Sequence, residues 1–107
     1  MVIICNRIPV NREHDAAFEE LFATRMKLVD GMPGFIGFQL LRPTQPDDPY
    51  IVMTTWASEA DFRAWVGSAE FKAGHARVST LPKGTITSHP ALEIYELCES
   101  QGDRAVQ

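Results

Sequence analysis

Three side chains in this chain have complementary reactivity: the amide of Asn6, the indole of Trp65 and the imidazole of His75. An imidazole nitrogen can hold a metal or take a proton, an amide can donate a hydrogen bond without supplying a competing proton, and an indole offers a large rigid apolar surface. With Phe62 and Phe71 between them, they would make an apolar wall carrying two polar groups, the usual make-up of a small-molecule or cofactor pocket. Each residue also has an ordinary reading. A lone histidine on a helix is most often a surface residue, Phe62 and Trp65 at i, i+3 suit a core, and a strand asparagine commonly satisfies a backbone group.

Hydrophobic patterning assigns the trio to strands and helices. Val2 to Ile8 is short and β-branched and reads as a strand, with Val2, Ile4, Asn6 and Ile8 on one face and Ile3, Cys5 and Arg7 on the other. Asn11 caps the first helix, in which Phe18, Leu21, Phe22, Arg25 or Met26, and Val29 recur at helical spacing over about five turns. Gly31 and Pro33-Gly34 end that helix. Phe35–Leu41 and Tyr50–Trp56 read as strands joined by a Pro-rich loop, hence an antiparallel hairpin. Ser58 caps a helix bearing Phe62 and Trp65, with Asp61 three residues on, and Ser68 starts another bearing Phe71 and His75. Residues 80–90 read as a loop placed where a lid could sit, and Leu92 to Cys98 as a last strand.

The order β-α-β-β-α-(α)-β is that of an α+β, ferredoxin-like split βαβ unit, whose helices pack on one face of the sheet. The second strand has no polar face, and Ile3 and Cys5 lie on one face of the first, so a face-to-face homodimer is expected to bury the open side of the sheet. If Asn6 points to the helices, the trio can line one cleft.

Bulk properties narrow the partners. The 107 residues carry ten Lys+Arg against fourteen Asp+Glu, a formal charge of −4, with 45% hydrophobic and 22% charged residues. This is one globular domain, read as residues 1–99 with a polar tail over 100–107. A mildly acidic chain without a basic block is a poor nucleic-acid binder. No apolar run reaches the roughly 20 residues of a membrane span, and the N-terminus lacks a signal-peptide pattern, so a cytoplasmic protein is expected. Cys5 and Cys98 lack metal-ligand spacing and read as reduced fillers, although neighbouring first and last strands would let them approach. His14 and His89 read as exposed, with no second metal site.

The segment Phe62-Arg-Ala-Trp65-Val-Gly-Ser68-Ala-Glu-Phe71-Lys-Ala-Gly-His75 resembles the signature F-x-x-W-x-x-S-x-x-F-x-x-x-H of the IsdG-type haem-degrading monooxygenases. These belong to the antibiotic biosynthesis monooxygenase (ABM) superfamily of dimeric α+β barrels. Asn6-Arg7-Ile8, Pro33-Gly34-Phe35 and Trp56 extend the likeness over most of residues 1–99. The resemblance implies an oxidoreductase for which haem is both cofactor and substrate, with O₂ and an external electron donor such as a reductase. The ring would open, releasing iron and a linear tetrapyrrole. His75 would be the axial iron ligand, Trp65 would press the porphyrin out of plane, and Asn6 would hydrogen-bond the other ligand on the iron. Phe62 and Phe71 would line the haem, with Arg7, Arg25, Lys72 and Arg77 the cations available to its propionates. Gly74, just before the ligand, weakens its helix by up to about 1 kcal/mol.

Two other functions use the same residues. A cofactor-free ABM-type oxygenase of quinols or polycyclic phenols needs only an apolar wall and a proton acceptor, which His75 can be. A non-catalytic haem or small-molecule binder needs only the pocket. Turnover without haem separates the first, and tight haem binding without turnover the second.

Overall fold

The computed structural model describes residues 1–102, apart from the side chains of residues 24–28. Strand β1 (Val2–Ile8) leads through a 3-10 turn (Arg12–His14) into α1 (Asp15–Val29), then β2 (Phe35–Leu41) and β3 (Tyr50–Trp56). Helices α2 (Glu59–Val66) and α3 (Ala69–Ala76), a 3-10 turn (Arg77–Thr80) and β4 (Ala91–Glu96) complete the chain order. The strands pair antiparallel in the order β2-β3-β1-β4, so β3 lies between β1 and β2, the split βαβ arrangement. Among the described residues no helix is long and apolar enough to cross a membrane.

The first helix is not continuous with its cap. Asn11 Oδ1 accepts from Glu13 N at 3.0 Å and opens the 3-10 turn, and the α-helix starts only at Asp15, leaving 15 residues instead of five full turns. The caps of α2 and α3 lie where serine places them. Ser58 Oγ accepts from Asp61 N (3.2 Å) and donates to Asp61 Oδ2 (2.9 Å), and Ser68 Oγ accepts from Phe71 N (3.1 Å). Gly34, with φ +80°, turns the chain into β2, and a Cβ there would fall onto the Asp61 carboxylate.

The strand registers assign faces. Val2, Ile4 and Ile8 are buried under the helices. Two apolar clusters fill this layer. One gathers Val2, Ile4, Val29, Trp56, Phe62 and Trp65. The other gathers Ile8, Val10, Phe18, Leu21, Phe22 and Tyr50. The opposite face carries Ile3, Cys5, Ile51, Met53, Leu41 and Tyr95, the last two exposed. Gln39 sits on that face too, so β2 does have one polar residue there, and a bulge between Phe35 and Gly37 leaves Ile36 exposed.

Three expectations change. The 80–90 segment is pinned: Ile86 bridges Val10, Asn11 N donates to Thr85 O (2.8 Å), Thr87 N donates to Pro9 O (3.0 Å), and Thr85 is buried. It is a strap tied to the second cluster. Cys98 lies five positions beyond Glu93, the residue opposite Cys5, so the cysteines do not meet and both are free. His14 is half-buried; His89 is exposed.

Candidate functional site

Asn6 does share the helix-facing side of the sheet. The register sets it in a row with Leu92 of β4, Val52 of β3 and Leu40 of β2. Its neighbours two residues away, Ile4 and Ile8, belong to different clusters, and Asn6 belongs to neither. The side chain is half-exposed, and its amide makes no hydrogen bond among the described residues. At half exposure that amide is open to water or to a molecule outside the chain.

Trp65, Phe71 and His75 come together through local sequence. Ser68 Oγ donates to Trp65 O at 2.6 Å while it caps α3, so one hydroxyl sets the angle between the two helices. A run of rings results. Trp56 and Trp65 stack with centroids 6.5 Å apart, Phe71 meets Trp65 edge-on at 5.5 Å, and the His75 imidazole lies 4.1 Å from the Phe71 ring at 31°. Trp56 is fully buried and Trp65 is 5% exposed, whereas His75 is exposed. The run thus leads from the core to the surface and ends on an imidazole. Phe62 packs on Trp56 at 6.1 Å, in the buried cluster.

Phe71, Gly74, His75 and Val78 succeed one another at helical spacing, i, i+3, i+4, i+7, so α3 and the turn after it present one stripe. Phe71 packs on the first cluster, Val78 on the second, and Gly74 is buried between them. The site therefore spans the same junction on the helix side that Asn6 occupies on the sheet side.

One residue that reading the sequence passed over completes the arrangement. Leu92 faces the helix layer, directly across from Asn6, yet is 54% exposed. A helix-facing leucine that remains half in water marks where the helices stop covering the sheet. The signal was available in the alternation of the last strand, where Leu92 and Ile94 share a face. Its exposure, however, depends on where α3 ends, which no local pattern gives.

The Arg25 side chain lies outside the described residues, and the other three cations divide by face. Arg7 lies on the open side, its Nε donating to Glu93 Oε1 at 3.0 Å, so it is withdrawn from any guest beside Asn6. Lys72 and Arg77 lie on the α3 side and are exposed. Burial pushes the Cys5 thiol above its ordinary pKa, with Arg7 offsetting only part of that, which suits an inert filler. Among the described residues no three His, Cys, Asp or Glu side chains gather as a metal cage. A metal held at His75 must therefore bring most of its own ligands, as a macrocycle does.

The chain is similar to known proteins in sequence and in fold. The antibiotic biosynthesis monooxygenase family matches residues 1–77. A heme oxygenase (mycobilin-producing) from Mycobacterium tuberculosis is 37% identical over 93 residues, covering 87% of this chain and 88% of its own. A heme-degrading monooxygenase from Bacillus cereus is 29% identical over 85 residues, 78% of each chain. Among solved structures, the heme-degrader MhuD from Mycobacterium tuberculosis, with two hemes bound in its active site, superposes with a TM-score of 0.76 at 32% identity. That match covers 95% of this chain and all of the other.

Proposed function

The chain belongs to the antibiotic biosynthesis monooxygenase family, and on that footing we propose that it is a haem-degrading monooxygenase. Haem is its substrate and cofactor, opened with O₂ and electrons from an external donor to release iron and a linear tetrapyrrole. The observation that carries this reading is the pairing of an unpartnered amide at Asn6 with an imidazole at the surface end of an aromatic run, on the two sides of one junction. When bound, haem supplies the iron at which dioxygen is reduced.

The chain's own groups do the rest. His75 would hold the haem iron through a ring nitrogen, and the Phe71 ring 4.1 Å away restricts the plane in which that imidazole can lie. Trp65 is held by Trp56 behind it, so it resists displacement and pushes back on a flat guest. Phe71 and, deeper, Phe62 keep that side dry. Asn6 donates its amide N–H to the reacting side, a neutral donor that does not compete as an acid.

The second copy belongs to the same reading. The open sheet face carries Ile3, Ile51, Met53, Leu41 and Tyr95, and a homodimer covers it. A reductase in the cytoplasm supplies the electrons, consistent with two unpaired cysteines.

The test is a visible spectrum. Added haem should give a Soret band saturating near one equivalent per chain, lost in His75→Ala, and reductant with oxygen should bleach it and yield a linear tetrapyrrole. Haem bound equally well without the imidazole, or an aromatic substrate turned over by haem-free protein, would overturn the assignment.

A further inference from the structure

The edge strand that borders the site carries no base on its helix-facing side. β4 offers Leu92, Ile94 and Glu96 to the helix layer, two apolar groups and an acid, and no cation anywhere along Ala91–Glu96. Its remaining acid, Glu93, is engaged with Arg7 on the opposite face. The exposed bases Lys72 and Arg77 stand instead on the α3 side. Arg7 has its guanidinium on the opposite face, and His89, which precedes β4 in the strap, is the base nearest to the strand in sequence. An amphiphilic flat guest with an apolar edge and a two-carboxylate edge would meet different environments at β4 and at α3.

We infer that Leu92 is a binding residue that sets the in-plane orientation of the porphyrin. Its half-exposed side chain, across the strand pair from Asn6, receives the vinyl-bearing edge, and the two propionates turn away from β4 toward α3. This rests on the haem reading and deepens it. The position of Leu92 opposite Asn6 also ties orientation to chemistry: whichever edge covers Leu92 decides which bridging carbon of the ring comes nearest the Asn6 amide. Leucine needs nothing but apolar contact to do this, and its present exposure is the unfavourable contact with water that a bound guest removes.

The experiment compares haem with deuterohaem, in which hydrogens replace the vinyl groups, titrated into the full-length protein and into Leu92→Ala and Leu92→Lys. The wild type should prefer haem by about tenfold, the gain from roughly 50 Å² of apolar burial. Leu92→Ala should cut that preference below about threefold and broaden the set of ring-opened isomers seen by chromatography and mass spectrometry. Leu92→Lys should weaken haem by about tenfold or more. Circular dichroism and light scattering should show the same fold and assembly in all three. Equal preference and an unchanged isomer pattern in Leu92→Ala would overturn the inference. So would a change of assembly that weakens both porphyrins alike, or a loss of haem in His89→Ala showing the propionates to lie beside β4. Failure of the wild type to bind either porphyrin through His75 would instead remove the haem reading, and the orientation role with it.

Discussion

Two regions of the helix–sheet layer are built on opposite plans. At the corner where α1 meets the start of β3, side chains bond one another closely, although one buried carboxylate oxygen there, Asp15 Oδ1, has no partner among the described residues. Arg42 donates to Glu19 through Nε and Nη2, both at 2.6 Å, Tyr50 donates its hydroxyl to the same carboxylate at 2.5 Å, and the Tyr50 ring packs 4.8 Å from Phe18. At the junction of the two clusters, Asn6 has no partner among the described residues, Leu92 is half in water, and His75 stands at the surface. The first region ties its side chains to one another. The second leaves an amide and a leucine in contact with water, which on the proposed reading is what a guest would replace.

If that division holds, substitutions should separate stability from binding. Phe18→Ala should have the largest effect on folding, about 3–5 kcal/mol by urea unfolding, with haem affinity per folded molecule unchanged. Tyr50→Phe should cost about 1.5 kcal/mol, since it removes a donor from a carboxylate that keeps Arg42. Acid should act at the same corner. The hydrogen bonds from Arg42 and Tyr50 lower the Glu19 pKa from 4.5 to about 2. The folded carboxylate is the weaker base, so this contribution is complete above about pH 4.5 and disappears as the pH falls toward 2. Glu19→Gln should flatten that part of a stability–pH curve.

The second region should respond in binding instead. His75→Ala should change unfolding by no more than about 0.5 kcal/mol, as an exposed site does, while abolishing the Soret band. Smallest of all in stability is Asn6→Leu, which sets an apolar group in an apolar row. It should leave the midpoint unchanged or slightly higher while ring opening falls, and a marked destabilisation would show that Asn6 is a structural residue after all.

The same division explains what could be read from the chain alone. β1, β2 and β3 were legible to the residue because alternation and β-branching are local, and both serine caps because the motif spans four residues. The last strand was misjudged, read as 92–98 but found as Ala91–Glu96. Its far end is set by β1, where Val2 pairs with Glu96 and only one further bond, Leu97 N to Met1 O, remains. The strap after α3 was illegible for a related reason, since its anchors, Pro9, Val10 and Asn11, lie some 75 residues earlier. Within the site, the Trp65–Phe71–His75 run is a product of helical spacing. That Asn6 would face Leu92, and that Arg7 would be tied to Glu93 on the far side, both depend on strand pairing across more than 80 residues.

The turn at Gly34 constrains how this chain can diverge. Its backbone conformation disfavours a side chain, and Asp61 fills the space one would need while accepting from Ser58 at the start of the helix that carries Trp65. The two positions are therefore sterically coupled. Even alanine at 34 must dislodge the aspartate and disturb that helix, and shortening residue 61 removes the collision but leaves the backbone strain.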